Sequence, residues 1–99
     1  IAKAVVCGAD AVMVGTPLAA ADDAPGRGFH WGTTAAHASL PRGNRVPVES
    51  RGTLEEILVG PAHEADGHRN LFGAVRRAMA ICGYETLKDF QKAEVVALR

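Results

Sequence analysis

The chain has 99 residues, which is about the length of one small domain. An apolar content of 47% and a charged content of 22% are typical of a globular protein and exclude a disordered or fibrous one. Eleven basic residues balance eleven acidic ones, so the charge favours neither a nucleic acid nor a membrane as partner. The sequence has no apolar run near the roughly 18 residues of a membrane span and no secretory signal. Because a helical pattern is already under way at Ile1, we interpret the chain as part of a longer polypeptide.

The first predicted elements are a short helix and a buried strand. Ile1, Ala4 and Val5 recur at helical spacing, and Gly8 is typical of a helix end. The run from Ala11 to Val14 is apolar at every position, which predicts a strand buried on both sides in a parallel sheet. Such a strand needs hydrogen-bonded neighbours, and we expect them from sequence outside this chain.

The strand is predicted to lead directly into a helix at Gly15. Thr16 is a favoured N-cap, Pro17 suits the first helical position, and the Leu-Ala-Ala-Ala segment that follows favours a helix. The first N–H groups of a helix bind anions, and a glycine there permits close approach of a ligand. Gly15 and Thr16 are therefore candidate phosphate contacts. The alternative is an ordinary capped turn between a strand and a helix.

Residues 22–52 are rich in glycine and proline and show no sustained period, which predicts a long irregular segment. Phe29, His30 and Trp31 lie within it. Two explanations fit these side chains: a lid that closes over a ligand, or aromatic contacts that attach the segment to the body of the protein.

Helices are predicted beyond residue 52. Thr53 to Glu56 matches a capping box, Gly60-Pro61 ends that helix, and Thr86 opens a short last one. The longest predicted helix has its apolar face formed by Leu71, Ala74, Val75, Ala78, Met79 and Cys82. The polar segment 63–68 lacks the spacing of a metal-ligand motif and is predicted to be a solvated loop.

The two cysteines are predicted to be buried and unreactive. Cys7 and Cys82 are too far apart in sequence to indicate a metal or disulfide motif. Each lies next to a glycine at a helix end, outside any glycine-rich or basic loop that would activate a thiol.

A series of short motifs runs along most of the chain: Ile1-Ala-Lys-Ala4, Gly8 to Ala19, Ala24-Pro-Gly26, Arg45-Val-Pro47, Gly52-Thr-Leu54, Asn70 to Arg76, Met79 and Gly83-Tyr84. In this order they resemble the end of the barrel in the IMP dehydrogenase and GMP reductase family. The resemblance implies an α/β fold, namely the C-terminal fragment of a (β/α)8 TIM barrel. Within it, residues 1–21 would form a helix, the eighth strand and the phosphate turn. Residues 22–52 would form a flap-like loop, and residues 53–99 the closing helices.

The resemblance also implies a ligand and its contacts. The ligand is a purine nucleoside monophosphate (IMP, XMP or GMP), bound by a cytoplasmic homotetramer that uses NAD or NADPH. Gly15 and Thr16 match the family's Gly-Ser pair, which holds the 5′-phosphate at the loops where such barrels bind phosphate. His30, Gly32 and Thr33 match the segment that contacts phosphate and base, and Arg42 is the nearest candidate for a positive charge beside the site.

No catalytic residue is expected within this chain. The family's catalytic cysteine lies upstream in a glycine-rich loop, so neither cysteine of this chain takes that role. A monovalent-cation site, an upstream regulatory domain and the choice between NAD and NADPH are left open.

The implied chemistry is hydride transfer between a nicotinamide cofactor and C2 of a purine nucleotide. The overall resemblance favours an NAD-dependent IMP dehydrogenase, which converts IMP to XMP in guanine nucleotide synthesis. IMP dehydrogenases use an Arg-Tyr pair on a long flap to activate water, whereas only about ten residues, without such a pair, separate Thr34 from Arg45. The short flap favours an NADPH-dependent GMP reductase, which converts GMP to IMP. A non-catalytic paralogue that binds purine nucleotides is the third hypothesis.

Overall fold

Short helices form most of the regular structure in residues 1–32 and 45–98, which are the residues that the computed structural model describes. The elements are α1 (Ala2–Val6), α2 (Thr16–Ala19), β1 (Phe29–His30), β2 (Val46–Pro47), α3 (Leu54–Val59), α4 (Leu71–Cys82) and α5 (Leu87–Phe90). They divide into a terminal unit, Ile1–Met13 with Phe72–Arg99, and a central unit, Val14–Leu71. Within the described ranges, no helix combines the length and the apolar character needed to cross a membrane.

The terminal unit is built around α5, which packs on α1. Phe90 is 2% exposed, and its ring centroid lies 5.8 Å from that of Tyr84. The helix begins where predicted, because the Thr86 hydroxyl accepts a hydrogen bond from the Asp89 N–H at 3.1 Å. Burial of the Phe90 ring and the cap at Thr86 together fix the orientation of this single helical turn.

Side chains of α5 and its C-cap also hold the turn that follows α1. The Gln91 amide donates to the Ala9 carbonyl at 2.9 Å and to the Asp10 carboxylate at 3.0 Å. The Lys88 ammonium donates to the same carboxylate at 2.9 Å. Residues some eighty positions apart in sequence are therefore joined through one exposed aspartate.

The carboxyl of Asp10 is expected to titrate below the ordinary value of 3.8, because the Gln91 amide and then the Lys88 ammonium lower its pKa. A lowered pKa in the folded state means a contribution to stability that is present above the unfolded-state value. That contribution is lost as the pH falls through the folded-state value. The check is an NMR titration of the Asp10 carboxyl carbon in the full-length protein. In Gln91→Ala the midpoint should move upward, while Lys92→Ala, which removes a charge that does not contact Asp10, should leave it in place. An unmoved midpoint in Gln91→Ala would contradict this assignment.

The core of the central unit lies between α2, α3 and the start of α4. Ile57 is fully buried, and it packs with Ala21 and Leu71. Two partly buried apolar side chains, Leu18 and Ala24, cover the edge of this cluster. The capping box predicted at the start of α3 is confirmed: the Glu56 N–H donates to the Thr53 hydroxyl, and the Glu56 side chain accepts from the Thr53 N–H, each at 3.2 Å.

Backbone pairing and the partly buried guanidinium of Arg69 bind the segment before α3 to this core. Ala21 and Gly52 form a parallel bridge, in which the Asp22 N–H donates to the Gly52 carbonyl at 2.8 Å. The Arg69 guanidinium donates to the Arg51 carbonyl at 2.8 Å and forms an ion pair with Glu56 at 3.2 Å. Because it reaches both groups, Arg69 links the approach to α3 with the helix itself.

The segment predicted to be irregular contains a short antiparallel ladder. Phe29 pairs with Pro47, and His30 pairs with Val46. The Trp31 indole N–H donates to the Gly26 carbonyl at 3.4 Å, and both aromatic side chains are half-buried. These contacts support the interpretation that the aromatic residues attach the segment to the body of the protein. The lid interpretation stays untested.

Gly26 occupies a position in this turn that a larger residue cannot fill. A Cβ there would overlap the carbonyl oxygen of Phe29 and lie 3.3 Å from the Trp31 ring. Gly26→Ala is therefore expected to lower the free energy of unfolding by about 1–3 kcal/mol, as overpacking generally does. Urea denaturation of the full-length protein measures the change, with Glu64→Ala, which truncates an exposed side chain in a loop, as the control. Equal stability of the two variants would show that the turn relaxes freely.

The strand at residues 11–14, predicted to pair with sequence outside this chain, does not form within the chain itself. These residues are not part of any strand among those described, and Met13 is 98% exposed. A strand is stabilised by ladder partners, and the described part of the chain supplies none for this segment. The side chains still alternate in burial as they would in a strand: Val12 and Val14 are half-buried, whereas Ala11 and Met13 are exposed.

The prediction of buried cysteines is wrong. Cys7, the C-cap of α1, and Cys82, the last residue of α4, are both exposed. On α4 the predicted apolar face is only partly covered, since Leu71 is buried whereas Ala74 is exposed. A periodic pattern identifies the apolar face of a helix, but it does not supply the neighbour that covers that face.

Candidate functional site

The centre of the candidate site is the turn at Gly15, where α2 begins. The prediction that Thr16 is the N-cap is wrong: Gly15 occupies that position, Thr16 is the first helical residue, and no side chain caps the helix. The helix also ends at Ala19, so that Ala20 and Ala21, predicted to be helical, follow it as buried residues. Because Thr16 is already helical, its exposed hydroxyl is not used as a cap.

The His30 side chain packs directly on this turn. A Cβ at Gly15 would lie 2.7 Å from the Nε2 atom of His30, so only glycine admits the imidazole at this distance. On the other side of the ring, the Gly32 N–H donates to Nδ1 at 2.8 Å. Since Nδ1 accepts a hydrogen bond, the proton of the neutral imidazole lies on Nε2, the atom that faces Gly15.

Several hydrogen-bond donors therefore meet at one turn. Among the described residues, none accepts a hydrogen bond from the N–H of Gly15 or Thr16. The Thr16 hydroxyl and the Nε2–H of His30 add two further donors. Donors gathered at a turn where a glycine permits close approach form an arrangement that suits an anion.

A cavity of about 470 Å³ opens beside this turn. Its described lining residues are Thr16, Pro17, Ala20, His30, Val46, Pro47, Val48, Glu49, Arg51 and His68. The charges on its wall are nearly balanced, because the Arg51 guanidinium lies 3.5 Å from the Glu49 carboxylate. The volume is that of a small-molecule site, and apolar β2 residues form one side of it.

The remaining predicted site residues have different outcomes. Gly32 is exposed, adopts a φ of +63°, and uses its N–H to hold the His30 ring. Thr33 and Arg42 lie outside the described residues. Val46 and Arg51 line the cavity, although neither was predicted as a site residue. Only knowledge of the β1–β2 register would have placed Val46 opposite His30.

The polar segment 63–68 borders a second cavity, of about 260 Å³, lined also by Ser50, Arg51 and Arg69. Asp66 accepts a hydrogen bond from the His68 N–H at 3.0 Å, and this bond lowers the pKa of the Asp66 carboxyl. Residues 63–68 lie outside helices and strands, which confirms the predicted loop, and all of them except the half-buried His68 are exposed. Within residues 1–32 and 45–98, no group of three or more His, Cys, Asp or Glu side chains is arranged to hold a metal ion.

Comparison with known proteins identifies relatives over nearly the whole chain. An uncharacterized oxidoreductase of Mycolicibacterium smegmatis is 51% identical over 94 residues, which are 93% of this chain and 25% of that protein. An uncharacterized oxidoreductase of Mycobacterium leprae is 48% identical, over 97% of this chain and 26% of its own length. No family model matches the chain. The chain thus spans about a quarter of the length of the curated relatives that it matches.

A solved structure and a named enzyme extend this comparison. The crystal structure of an IMP dehydrogenase/GMP reductase-like protein from Corynebacterium glutamicum matches with a TM-score of 0.80 and 46% identity, over 95% of this chain and 25% of that one. The inosine-5′-monophosphate dehydrogenase of Methanocaldococcus jannaschii is 28% identical, over 93% of this chain and 23% of its own length. These matches define a class of oxidoreductase-like proteins. Within that class, the chain belongs to an IMP dehydrogenase/GMP reductase-related family, of which it represents a C-terminal piece.

Proposed function

We propose that this chain is the last part of a (β/α)8 barrel in an oxidoreductase of purine nucleotide metabolism, of the NAD-dependent IMP dehydrogenase type. In this proposal Gly15 and Thr16 hold the 5′-phosphate of the nucleotide. The observation that carries it is the packing of the His30 Nε2 atom on Gly15, because this packing gathers donors at one turn of a family member. Family membership supports the nucleotide, and the donor set supports its phosphate.

The donors around Gly15 match the needs of a phosphate. The N–H groups of Gly15 and Thr16 and the Thr16 hydroxyl would donate to its oxygens. The Nε2–H of His30 would add a donor from the opposite side. Hydrogen bonds to a charged group are about twice as strong as neutral ones. Such a set would therefore anchor the nucleotide by its 5′ end and leave the purine base toward the 470 Å³ cavity.

The proposed barrel accounts for the exposed segment before the turn. Met13 is 98% exposed, and Val12 and Val14 are only half-buried, although the run is wholly apolar. As the eighth strand of a barrel, residues 11–14 would gain parallel neighbours and be covered on both faces. A cytoplasmic homotetramer is part of the same proposal and is supported by the family likeness alone.

NAD, or NADPH in the alternative below, would carry the hydride that is exchanged with C2 of the purine. Among the described residues, the polar groups around the cavity fit a phosphate, and we assign none of them to the dinucleotide. The part that this chain plays is to bind and orient the nucleotide.

The GMP reductase alternative is favoured by the short flap. Twelve residues separate Gly32 from Arg45, and no Arg-Tyr pair lies among them. The alignment with the archaeal IMP dehydrogenase runs over 126 positions, against 94 for the Mycolicibacterium relative, although both cover 93% of this chain. The archaeal dehydrogenase therefore carries additional residues within the matched region. Oxidation of IMP requires an activated water, whereas reduction of GMP does not.

Nicotinamide absorbance in the full-length protein distinguishes these candidates. With IMP and NAD⁺, the dehydrogenase proposal predicts reduction of the cofactor. With GMP and NADPH, the reductase alternative predicts its oxidation. Binding of a nucleotide without turnover of either pair would favour the third hypothesis, a non-catalytic paralogue. A serine or alanine in place of the upstream loop cysteine would contradict both enzyme hypotheses.

A further inference from the structure

We infer that Arg45 is a positioning residue for the phosphate subsite, because it holds the two aromatic side chains that flank His30 and so keeps the imidazole on Gly15. The inference rests on the proposed function, since it assigns a role within that same site. Arg45 is not among the residues that line the 470 Å³ cavity, and it would act through His30.

The register of the ladder places Arg45 beside the aromatic residues. Because Phe29 pairs with Pro47 and His30 with Val46, continuation of the antiparallel register sets Trp31 opposite Arg45. Successive side chains of a strand point to opposite faces, so Phe29 and Trp31 share one face and His30 takes the other. A contact that holds the two aromatic rings in place therefore also holds the His30 imidazole on the opposite face of the strand.

The contacts of Arg45 agree with this placement. Its guanidinium carbon lies 4.2 Å from the Phe29 ring centroid and 5.4 Å from that of Trp31. Both distances fall within the roughly 6 Å over which a cation is attracted to an aromatic face. Across the described residues, no carboxylate forms an ion pair with Arg45, so these ring contacts are its interactions there.

The ladder needs this additional contact because it is very short. With two residue pairs, β1 and β2 fall well below the size at which a hairpin is stable by itself. One guanidinium across both rings joins β2 to β1 on the face opposite His30. The Gly32 N–H then sets the rotation of the imidazole, and Arg45 sets the position of the strand that carries it.

Binding measurements on the full-length protein test the inference, with IMP compared against inosine, which lacks the phosphate. Arg45→Ala is expected to weaken IMP binding about tenfold, the effect of losing one hydrogen bond to a charged group. Inosine binding should be unchanged. Arg45→Lys, which keeps a cation over the rings, should retain most of the affinity. Arg27→Ala, which removes an exposed arginine just before β1, is the matched control and should have no effect.

A double-mutant cycle with His30→Ala separates positioning from general support of the fold. If Arg45 acts through His30, Arg45→Ala causes no further loss in the His30→Ala background. Additive losses, or full preference for IMP over inosine in Arg45→Ala, would overturn the inference and leave the proposed function intact. If the unmodified protein does not prefer IMP to inosine, the proposed phosphate site fails and the inference fails with it.

A spectroscopic readout does not depend on the ligand. In protein labelled with ¹⁵N-histidine, the geometry requires His30 to hold its proton on Nε2. Arg45→Ala should mix the two tautomers, whereas Arg45→Lys should keep one. An unchanged single tautomer in Arg45→Ala would contradict the positioning role, even for a variant that binds IMP weakly for another reason.

Discussion

Replacement of Gly15 by alanine is expected to weaken the binding of IMP by roughly a hundredfold, equivalent to two hydrogen bonds to a charged group. The added Cβ would lie 2.7 Å from the His30 Nε2 atom, a separation that real Cβ atoms do not tolerate. Either the imidazole withdraws or the turn shifts, and in both cases hydrogen-bond donors move away from the proposed phosphate position. Calorimetric titration of the full-length protein with IMP measures the loss.

Two controls make the Gly15→Ala result specific. Inosine should bind the variant as it binds the unmodified protein, because the change affects the phosphate end of the nucleotide. Glu55→Ala truncates an exposed side chain of α3 that lines neither cavity, and it should leave IMP affinity unchanged. Unaltered IMP binding by Gly15→Ala would contradict phosphate binding at this turn, and the phosphate would then have to bind elsewhere.

Replacement of Ile57 by alanine is expected to lower the free energy of unfolding by about 3 kcal/mol. Deletion of a fully buried isoleucine removes its transfer free energy and leaves a cavity, and such changes cost about 2–5 kcal/mol. Ile57 is 0% exposed and lies in the cluster with Ala21 and Leu71. Urea denaturation of the full-length protein provides the measurement.

The matched control for Ile57→Ala is Glu55→Ala on the same helix. Glu55 is exposed, so its replacement should change stability by less than about 0.5 kcal/mol, the usual range for surface positions. A loss below about 1 kcal/mol for Ile57→Ala would mean that neighbouring side chains collapse into the vacated space.

Features set by neighbouring residues could be predicted from the sequence. The capping box at Thr53, the end of α1 at Gly8 and the cap of α5 at Thr86 depend on contacts within four residues, and all three are confirmed. In contrast, the strand at 11–14 and the burial of Cys82 depend on packing partners that are distant in the sequence. Periodicity shows that a segment is suited to a partner, but the partner must be supplied by another part of the protein.

The same distinction between local and distant contacts applies to the candidate site. The choice of Gly15 as a candidate site residue followed from local turn chemistry, although the N-cap was assigned one residue too late. The pairing of His30 with Val46, and the stacking of Arg45 on Phe29, join residues about sixteen positions apart. No local pattern encodes that register, since a two-residue ladder contains too few residues to show alternation.

The hydrogen bonds from α5 and Gln91 to Ala9 and Asp10 have a consequence for the order of events during synthesis. Residues 14–71 are contiguous, so the central unit has all its parts once Leu71 has emerged from the ribosome. The turn at Asp10, which directly precedes the segment leading to Gly15, has no tether until Lys88 and Gln91 are translated. We therefore expect a nascent chain to form the Ile57 core first and to fix the turn at Asp10 among the last steps.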